Sequence, residues 1–336
     1  MKKLLTLLFL LSSFYLHAQI GFSSKPYSGR KKVDKEVYEN FKKSTTIFIL
    51  SDVYDNKTYD KILKKSWKVT PYEIVNLKDF SIENYLNGNY SFIDLYGAKV
   101  KTQNTFYLYF NTRLISYDNG KIKDRFKKLR SQNKLTEEKY KKTISNNTNI
   151  LAISYLSPKE NFVNQIRGGE RESIVKEMYS QEVFQNYLPG FLQNYFQKLS
   201  NLLETREAYW LYSENKSEEL AKLAEQKLYV PSYLNMKFNP LTAEDRIMYS
   251  EYTKDLFKKY KYEFQIEKAD TISNRIMDGE EFYYLRYCRM NTDRFIQIVN
   301  SITGETIYKE YAPLGYNLKP KHFKAISNAI KKATKK

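Results

Sequence analysis

The chain has 336 residues, 42% hydrophobic and 28% charged, a composition that fits a folded protein with room for two domains and excludes a disordered chain. Only 11 glycines and 8 prolines are present, which excludes collagen-like and linker-dominated architectures. A formal charge of +18 favours anionic partners such as acidic glycans, lipid head groups or nucleic acid, although the lysines are scattered and 31 tyrosines accompany them.

Residues 1–18 read as a signal peptide: Lys2 and Lys3, an apolar run from Leu4 to Leu11, and a small residue at Ala18 before Gln19. Cleavage there would leave a charge of +16 and an exported chain, in the periplasm or outside the cell, with no later stretch of transmembrane length. Residues 19–33, polar and carrying Pro26, read as a flexible leader.

From Asp34 the pattern is that of an α/β domain over 34–156. An amphipathic stretch (34–43) precedes the strand TTIFIL, and Tyr59–Trp67 carries Tyr59, Ile62, Leu63 and Trp67 on one helical face. Beyond Pro71, Tyr72–Leu77 alternates as a strand, and Phe80–Leu86 is a short helix stopped by Asn87-Gly88. Strands follow at Tyr90–Ala98 and Phe106–Phe110, with a further piece at Leu114–Tyr117. The basic stretch Lys121–Thr143 is helical, with Arg125, Lys127, Lys128, Arg130, Lys141 and Lys142 reading as a solvated face, and 150–156 is a buried strand.

Residues 157–216 form a helical connector: loop-like from Pro158 to Ser180, then helical from Gln181 to about Glu204, with a break near Pro189-Gly190. Phe184, Leu188, Phe191, Tyr195, Leu199 and Leu202 make its apolar face.

The first pattern then returns over 217–336. SEELAKLAEQKLYVPSYL answers the first helix and strand, Tyr249–Tyr260 the second helix, and Tyr262–Ile266 the second strand. Ala269–Met277 is again a short helix stopped by glycine, Gly279. FYYLRYCRM (282–290) lines up with YSFIDLYGA (90–98), and RFIQIVN with FYLYFN, so that Asn300 answers Asn111. Matching elements lie about 180–195 residues apart, and Pro320–Lys332 closes the chain as a helix. The expectation is an α/β (α+β) protein of two related small sandwich domains with mixed sheets, joined by the helical connector.

TTIFIL, SWKVTPYEIV, LYVPSYL and TDRFIQIVNSITGETIYKEYAPLGYNLKPKHF resemble stretches of exported proteins from Bacteroidetes-type bacteria, over most of 45–117 and 217–330. That resemblance implies export and carries no assigned activity, so no catalytic residue follows from it.

Reactive side chains are few. Cys288, mid-strand among aromatics, reads as a buried small hydrophobe, and His322, beside lysines in the last helix, as a surface residue. One cysteine and one histidine beyond His17 cannot form a disulfide or a Cys/His zinc site, and no Ser-His-Asp triad can be placed. No nucleotide-binding glycine motif occurs, and IRGGER (166–171) reads as a turn. No residue stands out as catalytic, as a metal ligand or as a cofactor contact.

Four charged residues are candidate binding positions. Asp52 and Asp55 follow the first strand, where ligands gather in open α/β sheets, though capping of the next helix is the favoured reading. Asp94 and Arg286 fall at matching places inside apolar strands, where a charge needs a partner or water. The leading expectation is a non-enzymatic envelope protein acting through contacts with another envelope protein or an anionic glycan. The alternatives are a carboxylate-dependent polysaccharide hydrolase and an electrostatic binder of anionic polymer or lipid head groups.

Overall fold

The computed structural model describes residues 20–23, 31–101, 106–166, 171–210, 212–239, 244–247 and 250–335. The expected signal peptide, most of 19–33 and the Gly168-Gly169 pair lie outside them.

The chain builds two six-stranded mixed sheets. The first contains β1 (Ile20–Phe22), β2 (Thr45–Phe48), β3 (Tyr72–Ile74), β4 (Tyr90–Lys101), β5 (Phe106–Tyr117) and β6 (Thr148–Tyr155), in the order β1-β6-β5-β4-β2-β3. The second contains β7 (Asn215–Lys216), β8 (Leu228–Pro231), β11 (Phe264–Glu267), β12 (Tyr283–Met290), β13 (Asp293–Asn300) and β14 (Thr306–Ala312), in the order β7-β14-β13-β12-β8-β11. A separate hairpin of β9 (Met236–Asn239) and β10 (Glu244–Ile247) is inserted after β8.

The two sheets are structural repeats. In each, the first three strands of the βαβ part run parallel and the next pairings are antiparallel. The register agrees as well: Thr46 faces both Tyr72 and Ser91, as Leu228 faces both Phe264 and Tyr283. Counting along β4 and β12 from Ser91 and Tyr283 sets Asp94 opposite Arg113 in one sheet and Arg286 opposite Gln297 in the other. One residue further on, both sheets shift register at the same place, between Leu114 and Ile115 and between Ile298 and Val299. An irregularity repeated at one position re-aims the strand identically in both halves.

Register corrects one sequence alignment. Asn111 faces Tyr96, whereas Asn300 faces Tyr283, so the residue equivalent to Asn300 is Ser116. Both asparagines end an apolar run, but the pairing partner, not the run, fixes the position.

Helices α1 (Lys35–Lys42) and α2 (Asn56–Ser66) link the early strands, with Asp34 and Asp55 as N-caps. The piece expected as a helix at Phe80–Leu86 is two 3-10 turns, Leu77–Asp79 and Ile82–Tyr85. In the second half a 3-10 helix (Glu218–Ala224) stands where α1 stands in the first; α8 (Ser250–Phe257) answers α2, and α9 (Ala269–Asp278) precedes β12. Between β5 and β6 the first half inserts α3 (Asn119–Ser131) and α4 (Glu137–Asn146), where the second half has only a turn over 301–305. The chain ends in α10 (Pro320–Ala333).

Two expectations change. The leader includes a strand: Ile20–Phe22 pairs with β6, Phe22 is buried, and Phe22 exchanges backbone hydrogen bonds with Tyr209. The polar composition around it hid three residues that complete a sheet edge. The stretch from Pro158 to Ser180 is helical rather than loop-like, with α5 (Glu160–Ile166) and α6 (Arg171–Ser180). Phe162, Ile166, Ile174 and Met178 are buried from it, the spacing of an apolar helix face.

The connector helix α7 (Pro189–Thr205) is more than a spacer. Every residue from Gly190 to Phe196 is buried, as expected of a helix packed on more than one side. Phe196 meets Phe48 of the first sheet edge-on at 5.4 Å, and Phe191 stacks on Tyr284 of the second at 5.4 Å. One apolar core therefore runs from Phe48 and Trp67 through α7 to Tyr284, Cys288 and Val299. The opposite face of the second sheet, with Tyr283, Leu285 and Ile298, packs on Phe257 of α8 and on Phe323, Ile326 and Ile330 of α10. The layers thus alternate sheet, helix, sheet, helix.

Candidate functional site

Asp55 and Asp52 do not form a paired carboxylate site. Asp55 is exposed and accepts from the Thr58 N–H at 2.8 Å; the Thr58 hydrogen bonds hold its carboxyl below the usual range. Asp52 is exposed, and its backbone N–H donates to Tyr179 O at 2.7 Å. Among the described residues no group of three His, Cys, Asp or Glu side chains is placed to hold a metal ion.

Asp94 and Arg286 occupy equivalent positions in different sheets and do not meet. Asp94 takes a two-pronged ion pair from Arg113, through Nε at 2.9 Å and through Nη2, and both side chains are 17% exposed. The Arg113 guanidinium lies 4.1 Å over the Tyr96 ring. Arg286 is fully buried; its Nε donates to Gln297 Oε1 at 2.8 Å, its Nη2 reaches Thr306 Oγ1 at 3.4 Å, and its guanidinium lies 4.4 Å over the ring of Tyr195. Next in the same cross-strand row comes Lys309, also fully buried, donating to Ser213 Oγ at 2.6 Å with Nζ 3.7 Å from the Tyr209 ring centre.

His322 is buried, contrary to the surface position its lysine neighbours suggest. Its Nδ1 is 2.7 Å from Glu310 Oε1 and its Nε2 is 3.4 Å from Arg294 Nη1, while Tyr308 donates to Glu310 Oε2 at 2.7 Å. Arg294 also donates from Nε to Ala312 O and from Nη2 to Pro313 O, each at 3.0 Å. With Arg294 donating at Nε2, the neutral ring carries its proton on Nδ1 and donates to Glu310. The group ties α10 to β13 and β14. Cys288 is likewise fully buried, and burial pushes its thiol far up, which makes it a poor nucleophile.

A cavity of about 30 Å³, room for a water molecule, lies among Ser157, Gln185, Tyr233, Tyr287, Arg289 and Asn317. Two larger depressions are open. One, of about 610 Å³ beside Lys32, Arg206 and Glu207, mixes both signs of charge. The other, of about 430 Å³, runs between α3 and α4 and is lined by Lys121, Arg125, Lys139, Lys142, Asn146 and neighbours.

Helical spacing builds that basic groove. Lys121 and Arg125 are four residues apart on α3, and Lys139, Lys142 and Asn146 are three and four apart on α4, so each set shares a face. Phe126 stacks on Tyr140 at 4.8 Å and fixes the two helices against each other, while Ile122 and Phe126 pack on Ile82 and Leu86. Lys121 is paired with Asp118 at 2.8 Å. Among the described residues no carboxylate lies within 4 Å of the charged groups of Arg125, Lys139 or Lys142, and all three are exposed. Residues 118–147 hold ten Lys and Arg against four Asp and Glu, a third of the chain's net charge.

From sequence the cationic cluster in this stretch reads as a solvated face. The i,i+4 and i,i+3 spacing of the cations, with Phe126 and Tyr140 on the opposite faces, was the available signal for a groove. The partners Arg113 and Gln297 could be found only through strand register. No protein-family model matches the chain, and no curated protein or solved structure is significantly similar to it.

Proposed function

We propose that this is an exported, non-enzymatic binding protein of the cell envelope that holds an acidic glycan in the α3–α4 groove. The observation that carries this reading is the uncompensated charge there: three exposed cations without carboxylate partners line one concave surface. The groove also sits on the one helical excursion that the first half has and the second lacks between matching strands. A carboxylate or sulfate on every sugar or every second sugar would meet cations on both walls, and Asn146 offers a hydroxyl a neutral partner. Burial of His322 and Cys288 in packing roles supports the non-enzymatic part of the reading.

The test compares wild-type protein with an Arg125→Glu/Lys139→Glu/Lys142→Glu variant in binding to polygalacturonate, dextran sulfate, anionic lipid vesicles and single-stranded DNA across a salt series. At about 1 kcal/mol for each close charge contact near water, three contacts correspond to roughly a hundredfold in affinity. The variant should lose that much for the acidic polysaccharides, with a shallower salt dependence. Equal binding by both proteins refutes the groove. Preference for vesicles or DNA over the polysaccharides refutes the glycan.

A further inference from the structure

We propose that one end of the molecule is a lipid-contacting tip, at which Val100, Tyr107 and Leu314 enter the head-group region of an anionic bilayer. Four large hydrophobic side chains are exposed among the described residues, and these are three of them. The fourth, Ile302, lies in the β13–β14 turn at the far end of β13. Val100 and Tyr107 face each other across the β4–β5 pair, on one side of the sheet. Leu314 belongs to the same end, because the two hairpins are bonded there. Ala98–Tyr109 of the first sheet answers Met290–Asp293, the last pair of the β12–β13 hairpin. Asn291, in the turn of that hairpin, accepts from Leu108 N–H and donates to Leu108 O, each at 2.9 Å, which fixes the two hairpins side by side. The next turn residue, Thr292, accepts from Gly315 N–H at 3.0 Å, so the loop carrying Leu314 sits beside them. The first hairpin runs on for three more residue pairs, roughly 10 Å, beyond the second.

Leu314 is 90% exposed and stands at φ 57°, in the left-handed region that glycine occupies freely and leucine only at a cost. Its loop is held from within: the buried Arg294 guanidinium donates to Ala312 O and Pro313 O at 3.0 Å and to Asn317 O at 2.5 Å. A fixed loop that carries a strained, exposed leucine points to a contact outside the molecule. The charges beside it select the partner. Lys101 on the hairpin and Lys319 on the loop are exposed. A second copy would bring these lysines against their own kind, and three separate projecting side chains fall well short of the about 800 Å² per partner of a stable protein interface. A bilayer takes projecting apolar side chains one at a time, while its anionic head groups meet the lysines. The α3–α4 groove begins after Tyr117, roughly 33 Å along β5 from Tyr107, so a protein seated on this tip holds the groove clear of the lipid.

Three such side chains hold a protein no more tightly than a single acyl chain, so the contact is reversible, with an association constant of about 10⁴ M⁻¹ or less. The test mixes the full chain with vesicles of phosphatidylglycerol and phosphatidylcholine. A Val100→Ser/Tyr107→Ser/Leu314→Gly variant should lose at least about tenfold in vesicle association and keep its binding to polygalacturonate. The Arg125→Glu/Lys139→Glu/Lys142→Glu variant should do the reverse, so failure of the tip and failure of the groove are told apart. Should the first variant fail to fold, Leu314→Gly alone, where glycine suits the left-handed backbone, should still lose about threefold or more. Insertion is read from an NBD label on Leu314→Cys, since Cys288 is fully buried and stays unlabelled. Its emission should brighten and shift to the blue on vesicles. Unchanged emission on bound vesicles, or equal vesicle association by wild type and the tip variant, overturns the proposal. So does a wild-type dimer in sedimentation that the tip variant loses, which would seat a second copy on the tip.

Discussion

Replacing Gly190 by alanine tests whether α7 joins the two halves as closely as the layered core requires. A Cβ at this position would lie 2.3 Å from the backbone oxygen of Ser273 and 2.9 Å from Ile276 Cβ, both on α9. Carbon and oxygen atoms do not approach so closely, and the obstructing atom is backbone, so α7 and α9 would have to separate by roughly 1 Å. The Gly190 N–H, at the start of the helix where no intrahelical acceptor exists, donates to Ser273 Oγ at 2.9 Å, and that bond would lengthen too. Overpacking costs about 1–3 kcal/mol and the hydrogen bond about 1, against a helix-propensity gain below about 1. The net expectation is a loss of about 1–3 kcal/mol.

Urea unfolding followed by tryptophan fluorescence in a Trp210→Phe background, which leaves one of the two tryptophans, measures it, because Trp67 is buried 5.2 Å from Phe48 on the first-half side of α7. The midpoint should fall, and Trp67 should report the same single transition as circular dichroism, since the core is continuous. Gly120→Ala is the control: its Cβ would meet nothing nearer than Asp118 Oδ1 at 3.6 Å, so helix propensity alone should act, and stability should rise by up to about 1 kcal/mol. A Gly190→Ala midpoint at or above wild type would falsify the close approach. A first transition that leaves Trp67 native would show that the halves unfold separately.

Two further expectations concern titration and capping. Burial raises the Tyr187 and Tyr284 phenols to about 12, above the ordinary 10, so their neutral forms stabilise the fold below pH 10 and that contribution is lost as pH rises toward 12. Stability should fall by roughly 1.4 kcal/mol per pH unit for each phenol over that window, and tyrosinate absorbance should rise together with unfolding; a full spectroscopic titration near pH 10 with the fold intact would contradict it. Asp55→Ala should lower the unfolding midpoint through loss of the α2 cap, while Asp52→Ala should not. Because hydrogen bonding depresses the Asp55 pKa, its contribution is present above pH 3.8 and disappears as pH falls below that; equal effects of both substitutions at pH 7 would argue for a shared role instead.

The repeated order of strands was legible because each half spells it in apolar runs of strand length separated by turn residues. The equivalence of Asp94 with Arg286 was legible for the same reason, as the flanking YSFI and FYYL patterns keep period two. Register was not legible: Asn111 and Asn300 both close an apolar run, and only backbone pairing separates them. The strand at Ile20–Phe22 is too short for any periodicity, and its stability comes from β6 and Tyr209 rather than from its own residues. His322 reads as exposed from sequence because Lys321 and Lys324 flank it, whereas in the fold it is buried. On α10 it shares a face with Ile326 and Ile330, four and eight positions on, and that spacing points inward. The basic groove needed a tertiary fact, the return of α4 alongside α3 through a turn with Asn133 in the left-handed region.

The equivalent rows of the two sheets show what covering a face does to its charges. In the first sheet the row reads Asp94, Arg113, Ile153, and its ion pair keeps some contact with water. In the second it reads Arg286, Gln297, Lys309 beneath Tyr195 of α7, without exposure. Burying a complete ion pair costs several kcal/mol for each ion, and the Arg–Gln arrangement desolvates one ion fewer at the price of leaving the other without a fixed counter-charge. Gln297→Glu supplies that charge from the protein, at a side chain whose oxygen is already 2.8 Å from Arg286 Nε. Because the new carboxylate would sit against Arg286 in a charge-assisted hydrogen bond, the variant should keep its unfolding midpoint within about 1 kcal/mol of wild type. Destabilisation by about 3 kcal/mol or more would show instead that rings and neutral acceptors already satisfy Arg286, so that the buried carboxylate brings only its desolvation cost.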